Sequence, residues 1–352
     1  MSKPVVSING SFLFGRITGM ERFAWEVIKE LDDLCDNGQY EIIVPRKAKK
    51  VPNLNKIRIV RFGYLRGLLW TLIDFQLYIL THNSLALSLN SIVPIIRPGY
   101  VCIHDITFKV NKHLFNYSIR SKLSSKWRCF QYKLCFKFSP IIFTVSEFSK
   151  KEILKYYFIN KERIVVLGNG WNHFEHLIPN PSLRYSHPEY FTKPFFFALG
   201  SIAENKNLKW VLETAKYHPS YNFLIAGGII NKYGIEFTDN TLANVFFLGY
   251  ISDEEVKYLM TQAKAFLFPS IYEGFGIPPL EALSVGTDII ISNATCLPEI
   301  FGDCAHYINP YVPCENLEAV LDTNVNSPQK ILKDFTWNRV AQKLNLSITT
   351  SF

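Results

Sequence analysis

Short runs of apolar, often β-branched residues alternate along the chain with longer stretches in which apolar residues recur every three or four positions. The first pattern is typical of buried strands, and the second of helices that bury one face. Their alternation indicates parallel-sheet α/β folding, because parallel strands need a crossover connection. The predicted strands are Val5–Ile8, Glu41–Val44, Ile57–Val60, Leu85–Leu89, Tyr100–Ile103, Ile141–Val145, Ile164–Leu167, Phe195–Leu199, Asn222–Ala226, Val245–Phe247, Ala265–Phe268, Asp288–Ile291 and His306–Ile308.

Helices are predicted between these strands. Ser146 begins one of them with N-cap chemistry, and Ser252 with Glu255 has the spacing of a capping box at the start of another. The predicted helices are Met20–Leu34, one beginning near Leu68, one beginning near Ser118, Lys150–Tyr157, Asn207–Lys216, Asp253–Ala263, Pro279–Val285 and Thr336–Leu346.

A segment rich in proline and glycine separates the two sets of strands, which is typical of a linker. We therefore predict an α/β protein with a first domain at 1–172, a linker at 173–193, a second domain at 194–330 and a last helix within 331–352. Two such domains are expected to place a ligand cleft between them, where strand C-termini and helix N-termini converge.

The composition is that of a folded protein, because 48% of the 352 residues are hydrophobic and 19% are charged. The seven cysteines are scattered and never spaced C-x-x-C. This argues against a disulfide framework and a zinc site, and it fits a reducing cytosol. Met1–Gly10 lacks the apolar core of a signal peptide. Arg66 and Asp74 interrupt the most apolar window, Phe62–Leu80, which predicts a buried or interfacial helix rather than a membrane span.

Positive charge is concentrated in the first half of the chain. Residues 1–170 carry 26 Lys and Arg against 12 Asp and Glu, a net charge of +14, whereas residues 171–352 carry 12 against 18, a net charge of −6. This asymmetry predicts that the first half faces an anionic partner, such as phospholipid headgroups or a polyprenyl diphosphate. Nucleic acid is not favoured, because no nucleic-acid-binding motif accompanies the charge.

The stretch Arg120–Lys137 predicts a basic amphipathic helix. Such a helix suits an anionic bilayer surface. The alternative is an ordinary surface helix whose apolar face packs in the core, and the charge asymmetry favours membrane contact. Lysines share one face and apolar residues the adjacent one: Lys122, Lys126, Lys133 and Lys137 against Leu123, Trp127, Phe130, Leu134 and Phe138.

The run from Phe268 to Glu281, F-P-S-I-Y-E-G-F-G-I-P-P-L-E, follows a predicted strand and leads into a predicted helix. Glycines at a helix entry let backbone amides approach phosphate or hydroxyl oxygens closely. Phosphate would repel Glu273 and Glu281, so their natural partners are sugar hydroxyls, which donate hydrogen bonds to carboxylates. Their spacing allows one to reach a hexose and the other a ribose. The alternative is a structural turn flanked by two surface glutamates.

This run resembles the signature of the family 4 retaining glycosyltransferases of GT-B fold, in which two glutamates are separated by seven residues. The similarity continues through 282–287 and 292–300 to Gly302 and Asp303, although Asp288 stands where the family usually has proline. The resemblance implies two Rossmann-like domains that face each other across a cleft, with the acceptor on the first, the nucleotide sugar on the second, and a C-terminal crossover helix that returns towards the first. It also implies donor contacts from the carboxylates of Glu273 (to the hexose) and Glu281 (to the ribose) and from the backbone of Gly274, Phe275, Gly276 and Ile277.

The segment 199–208 is also similar to this family, which places Lys-Asn after a glycine and a variable loop. Lys206 is thereby implied as the diphosphate ligand, because a lysine beside helix amides meets a diphosphate as a point charge. Ser201, a second implied donor contact, stands where many members have arginine. Asn205 also stands where arginine is frequent. Fewer cations would therefore face the diphosphate in this chain.

Other implied contacts lie at strand ends. The loop 14–22 is similar to the family's Thr-Gly-Ile-x-Arg segment, which implies that the backbone of Gly19 faces the diphosphate and the acceptor. His104 follows a strand on the ligand side of an α/β sheet, and the resemblance implies a role beside the reacting sugar. Tyr250 and Ile251 are implied to line the base pocket. His173 and His176 have an i, i+3 spacing without further metal ligands, which favours hinge contacts over a metal.

Together these observations predict a retaining hexosyltransferase that moves a sugar from a nucleotide diphosphate donor to a saccharide or polyprenyl-diphosphate-linked acceptor. The implied catalytic residues are His104, Lys206 and Glu273, and the leaving phosphate takes the acceptor's proton in a same-face attack. No cofactor or metal is expected. The resemblance favours mannose or rhamnose and a role in cell-surface polysaccharide or lipopolysaccharide biosynthesis, at the cytoplasmic face of the cell membrane. A nucleotide-sugar 2-epimerase and an inactive transferase-like binding protein are the alternatives.

Overall fold

The computed structural model describes residues 4–14, 18–48, 51–115, 118–200, 203–228 and 242–351. The chain divides into two compact units, one of Met1–Gly170 with Phe335–Phe352 and one of Trp171–Asp334. The segment 173–193, predicted as a linker, lies within the second unit and includes the short helical segments Ser182–Ser186 and Pro188–Phe191.

The first unit is built on a parallel sheet of seven strands, each within one residue of its predicted ends. The strands are β1 (Val6–Asn9), β2 (Tyr40–Val44), β3 (Arg58–Arg61), β4 (Leu85–Ser88), β5 (Tyr100–Cys102), β6 (Ile142–Thr144) and β7 (Ile164–Val166). Their order across the sheet is β3-β2-β1-β4-β5-β6-β7. The chain order therefore reverses between β1 and β4, which is the switch point where open α/β sheets bind ligands.

Two apolar clusters hold the helices of this unit against its sheet. Residues 70–79 pack against β2 and β4 around Trp70 and Phe75. A second cluster joins β5, β6 and β7 to the later helices through Tyr132, Phe136 and Ile153. The α-helices before the unit boundary are α1 (Gly19–Leu34), α2 (Gly67–Leu69), α3 (Gln76–Thr81), α4 (Thr107–Val110), α5 (Ile119–Phe138) and α6 (Glu147–Tyr156).

The apolar window 62–80 forms α2, a π-helical stretch at Trp70–Phe75 and α3. One face carries Trp70 and Phe75 into the core, whereas Leu69, Ile73 and Leu77 are about half exposed. Within the described ranges, no helix is both long and apolar enough to cross a membrane.

Helix α5 buries a different face from the one that its apolar residues predict. The buried face carries small and mixed residues, including Ser121, Ser125 and Cys135. Leu123 is 60% exposed and Phe130 43% exposed. The alternative in which the predicted apolar face packs in the core is therefore wrong for Leu123 and Phe130. Tertiary packing places the opposite face of α5 against the sheet.

The second unit is built on a parallel sheet of six strands. The order across the sheet is β10-β9-β8-β11-β12-β13, so the chain order reverses between β8 and β11. Its strands are β8 (Phe195–Leu199), β9 (Asn222–Ala226), β10 (Val245–Gly249), β11 (Ala265–Phe268), β12 (Ile289–Ser292) and β13 (His306–Ile308). Its α-helices are α7 (Ser182–Ser186), α8 (Leu208–Ala215), α9 (Asp253–Gln262), α10 (Ile277–Ser284), α11 (Leu297–Phe301), α12 (Leu317–Leu321) and α13 (Gln329–Asp334).

The last helix, α14 (Trp337–Thr349), belongs to the first unit. The buried Trp337 ring packs edge-on against Phe23 of α1, with ring centroids 6.0 Å apart. Asn345 Oδ1 accepts hydrogen bonds from Gln39 Nε2 and from the Tyr40 hydroxyl, each at 2.9 Å. The prediction that the C-terminal helix returns to the first domain is thereby confirmed.

We predict that Gly170→Ala destabilises the first unit. An added Cβ at Gly170 would lie 2.3 Å from the backbone nitrogen of Trp337, so the α14 entry would have to shift. Overpacking of this kind costs about 1–3 kcal/mol, which urea unfolding of the whole chain can measure. The matched control is Gly19→Ala, where no described atom lies within 4 Å of the added Cβ. An equal loss in both variants would contradict the steric explanation.

Candidate functional site

The candidate donor site lies where the strand order of the second sheet reverses. The loop after β8 includes a single 3-10 turn, Glu204–Lys206, before α8. The loop after β11 carries Glu273 and enters α10. Because β8 and β11 are hydrogen-bonded neighbours, the two loops start side by side at the carboxyl edge of the sheet.

The two loops meet in an ion pair. Lys206 Nζ donates to Glu273 Oε1 at 2.7 Å, and the two side chains are 27% and 13% exposed. The ammonium group also lies 5.3 Å from the centroid of the Phe268 ring. A partly exposed pair of this kind contributes about 1 kcal/mol or less to stability, so its main consequence is that it holds one cation and one carboxylate at the same point.

Two asparagines join the loops behind this pair. Asn205 Nδ2 donates to the Tyr272 carbonyl at 3.2 Å, and the Ile271 amide donates back to the Asn205 carbonyl at 2.8 Å. Asn207 has a left-handed backbone with φ of 56°, and its side-chain amide donates to the Pro269 carbonyl at 3.0 Å. Asparagine tolerates this conformation better than most residues, so the backbone on both sides of Lys206 is anchored.

The segment before α11 holds the Glu273 loop from the other side. The Glu273 amide donates to Thr295 Oγ1 at 3.3 Å, and the Cys296 thiol contacts the carbonyls of Glu273 and Phe275, each at 3.3 Å. Burial raises the pKa of the Cys296 thiol well above its usual value, and the Glu273 charge adds to the effect. The thiol therefore stays protonated and continues to donate to these carbonyls.

Gly276 has a backbone conformation that a residue with a side chain would adopt only with strain. Its φ is 104°, and an added Cβ would lie 3.0 Å from Leu297 Cδ2 of α11. It is the N-cap of α10, so the chain enters the helix at Ile277 in close contact with α11. Pro278 and Pro279 lack N–H groups, which leaves the amides at and before Ile277 as the donors near the helix entry.

Glu281 has a partner that the sequence analysis did not predict. His173 Nε2 lies 3.0 Å from Glu281 Oε1, and the two side chains are 5% and 10% exposed. One oxygen of the carboxylate is therefore engaged by a buried imidazole just after the start of the second unit. The sequence predicts a hinge contact for His173, and no sequence signal links it to a glutamate 108 positions later.

The remaining predicted donor contacts of this unit are less constrained. Tyr250 is 65% exposed and Ile251 is half-buried, directly before the Ser252 N-cap of α9. Ser252 and Glu255 form the predicted capping box. Ser201 lies outside the described residues, so its predicted donor contact stays a prediction.

The predicted residues of the first unit also follow strands at the carboxyl edge of its sheet. Gly19 is exposed and is the first residue of α1, after the N-cap Thr18. His104 follows β5, and its Nε2 lies 3.0 Å from the Leu89 carbonyl, so this nitrogen carries the proton and donates. The Phe23 ring packs edge-on against the imidazole at 4.7 Å. Burial lowers the pKa of His104, whereas the bond to Leu89 opposes that change.

The structure therefore brings Lys206 and Glu273 into direct contact, and it pairs Glu281 with His173. Gly19 and His104 belong to the other unit. Within the described ranges, no cluster of three or more His, Cys, Asp or Glu side chains is arranged to hold a metal. Sequence reasoning did not predict the residues' roles in positioning the others: His173, Asn205, Asn207, Thr295 and Cys296.

Residues 180–319 match the family model of glycosyl transferases group 1. The chain is 28% identical to O-antigen chain mannosyltransferase B of Escherichia coli over 231 residues, which cover 61% of this chain and 57% of that protein. It is also 28% identical to O-antigen chain mannosyltransferase RfbU of Salmonella typhimurium over 313 residues, which cover 83% of each. This chain is a glycosyltransferase.

Solved structures extend the similarity to the whole fold. Sucrose-phosphate synthase from Thermosynechococcus elongatus superposes with a TM-score of 0.76 at 14% identity, over 99% of both chains. Anabaena Alr3699/HepE, solved with UDP-glucose, superposes with a TM-score of 0.69 at 15% identity, over 99% of this chain and 100% of that one. The glycosyltransferase therefore has the predicted GT-B fold, and the resemblance to family 4 is confirmed.

We predict that His173→Ala destabilises this glycosyltransferase by about 3 kcal/mol, because it leaves the buried Glu281 carboxylate without its partner. His173→Gln should restore part of the loss, because it keeps a hydrogen-bond donor. Urea unfolding of both variants, with Glu281→Gln and the double variant, gives the coupling energy between the two side chains. The matched control is His187→Ala, which removes an exposed His–Glu pair and should cost much less. Additive losses in the double variant would show that the pair does not interact.

The buried His104 is expected to make stability depend on pH. Its folded-state pKa lies below the ordinary 6.5, so as pH falls below about 6.5 the unfolded chain binds a proton that the folded chain does not. Stability should then fall by up to about 1.4 kcal/mol per pH unit until the folded-state pKa is reached. His104→Gln should flatten the dependence measured between pH 7.5 and 5.5, whereas the control His113→Gln should not. An unchanged slope in His104→Gln would contradict this assignment.

Proposed function

We propose that this glycosyltransferase moves a hexose from a nucleotide diphosphate sugar to an acceptor with retention of anomeric configuration. In this proposal the Lys206–Glu273 pair lies beside the bond between the donor's sugar and its phosphate. The contact at 2.7 Å between a cation and a carboxylate carries the proposal. A nucleotide sugar offers complementary chemistry, because its diphosphate is anionic and the attached hexose presents hydroxyl donors.

The geometry supports one donor orientation. The diphosphate lies at Lys206 and at the amides that lead into α10, where the helix dipole also favours negative charge. The hexose hydroxyls then reach Glu273, which cannot bind phosphate because both are anionic. Glu281 holds the ribose with the carboxylate oxygen opposite the one that His173 engages. Tyr250 and Ile251 border the base.

Leaving-group stabilisation is the main catalytic task in this proposal. Departure of the nucleoside diphosphate leaves negative charge on the phosphate and an oxocarbenium-like sugar. Lys206 and the backbone amides offset that charge, so transfer needs no metal or other cofactor. The acceptor attacks the sugar on the same face from which the leaving group departs. The leaving phosphate takes the acceptor's proton.

The names of the relatives favour mannose over rhamnose as the transferred sugar. Both relatives described above are O-antigen chain mannosyltransferases. We propose accordingly that this chain acts in lipopolysaccharide or related cell-surface polysaccharide biosynthesis, on a saccharide or polyprenyl-diphosphate-linked acceptor. The comparisons do not favour a 2-epimerase. An inactive binding protein is also disfavoured, because Lys206 and Glu273 are both present.

We further propose that the enzyme works at the cytoplasmic face of the cell membrane as a peripheral protein. The net charge of +14 over residues 1–170 favours an anionic surface. The half-exposed Leu69, Ile73 and Leu77 form an apolar stripe on the 67–81 helical stretch, and such stripes favour burial at a lipid interface.

We predict that one nucleotide sugar from a panel of GDP-mannose, dTDP-rhamnose, UDP-glucose and UDP-N-acetylglucosamine raises the melting temperature of the wild-type chain. Lys206→Gln and Glu273→Gln should lose that shift and lower kcat/KM about a hundredfold or more, because each removes a contact to the developing charge or to the sugar. Both substitutions keep the approximate volume of the side chain.

The matched controls are Lys209→Gln and Glu213→Gln, which remove the same charges from an exposed and a half-buried position of α8. These controls should keep the shift. A shift that persists in Lys206→Gln and Glu273→Gln would reject the site assignment. If no nucleotide sugar stabilises the wild type, the proposed donor class is wrong.

A further inference from the structure

The first unit contains a cavity that the donor site does not use. It has a volume of about 410 Å³ and lies beside α5, which connects β5 to β6. A volume in this range suits a small-molecule fragment larger than a bare inorganic ion. Its walls carry four lysines and an aromatic ring: Lys112, Lys122, Lys126, Lys133 and Phe130.

The lysines of this cavity are not neutralised. Among the residues that the structure describes, no acidic side chain pairs with any of the four. Helix α5 itself has six basic residues and no acidic one in its 20 residues. Lys122, Lys126 and Lys133 follow helical spacing along one side of α5, so their ammonium groups surround the same opening. Lys112 approaches from the short helix that precedes α5.

The polar side chains at the floor of the cavity leave few hydrogen-bond donors for a ligand. Ser125 Oγ and Cys129 Sγ both donate to the Phe108 carbonyl, at 3.2 Å and 3.4 Å. Their hydrogens are thus used within the protein, and burial raises the pKa of Cys129, so the thiol adds no negative charge at neutral pH. The lysines therefore supply the donors that remain for a ligand, and they favour an anion.

Exposed apolar side chains lie on the same helix as three of the cavity lysines. Ile119 and Leu123 are 79% and 60% exposed, and Phe130 lies in the cavity wall with 43% of its surface exposed. A free inorganic anion gains nothing from such a surface. An amphiphile gains from both parts, because its phosphate meets the lysines while its acyl chains cover the apolar side chains.

We propose that this lysine cavity binds the phosphate headgroup of an anionic membrane phospholipid. The lysines hold the phosphate, and the remaining volume holds the glycerol part. The exposed face of α5 then lies at the level where headgroups meet acyl chains. This inference rests on the proposed membrane contact but not on the donor chemistry, since the cavity and the Lys206–Glu273 pair belong to different units.

The test uses the full chain and co-sedimentation with phosphatidylcholine vesicles that contain about one third phosphatidylglycerol, at physiological ionic strength. The variant is Lys122→Gln/Lys126→Gln/Lys133→Gln. Each lysine near an anionic bilayer contributes about a fivefold factor in partitioning, so we expect a loss of about a hundredfold for the three. The matched control, Lys151→Gln/Lys161→Gln/Lys343→Gln, removes the same charge from exposed positions of the same unit and should bind nearly as wild type.

A second arm separates a lipid headgroup from a free anion. Soluble dihexanoyl-phosphatidylglycerol should bind the wild type in calorimetry, inorganic phosphate should not compete at equal concentration, and Leu123→Ser should weaken the lipid. Equal losses in the two triple variants, equal binding of inorganic phosphate, or no binding to anionic vesicles would each overturn the proposal. The cavity variant should keep the melting-temperature shift with the donor sugar, so failure here is distinguishable from failure of the proposed transferase site.

Discussion

The Lys206–Glu273 contact depends on one constraint, the parallel pairing of β8 with β11 at the point where the strand order reverses. Parallel neighbours end at the same edge of the sheet, and at a switch point their helices leave in opposite directions. The loops that follow are therefore adjacent. A cation from one loop and a carboxylate from the other can therefore meet there, although Lys206 and Glu273 are 67 positions apart in the chain.

The side chains proposed to bind the donor are held in place mainly by residues that are not proposed to contact it. Asn205 and Asn207 join the two loops through backbone carbonyls, and Cys296 holds the carbonyls on either side of Gly274. Each of these bonds is individually modest, about 1 kcal/mol. Together they fix the loop backbone before any ligand arrives, and such preorganisation makes fixed dipoles effective towards a developing charge.

The two units differ in surface chemistry as well as in sheet size. The positive charge of the chain is concentrated in residues 1–170, where the exposed side of α5 combines lysines with Leu123 and Phe130. The second unit instead carries its notable charges in pairs near the carboxyl edge of its sheet, as in Lys206–Glu273 and His173–Glu281. This division agrees with a protein whose two halves meet different ligands.

The sequence by itself determined the strands, the approximate helix ends and the identity of Lys206, Glu273 and Glu281 as candidate ligands, because hydrophobic period, cap residues and glycines act within a few neighbouring positions. Only the tertiary structure decided which face of α5 is buried, that His173 engages Glu281, and that Cys296 holds the Glu273 loop. Those outcomes depend on contacts between segments distant in the chain. Local periodicity carries no information about such partners, so packing had to select them.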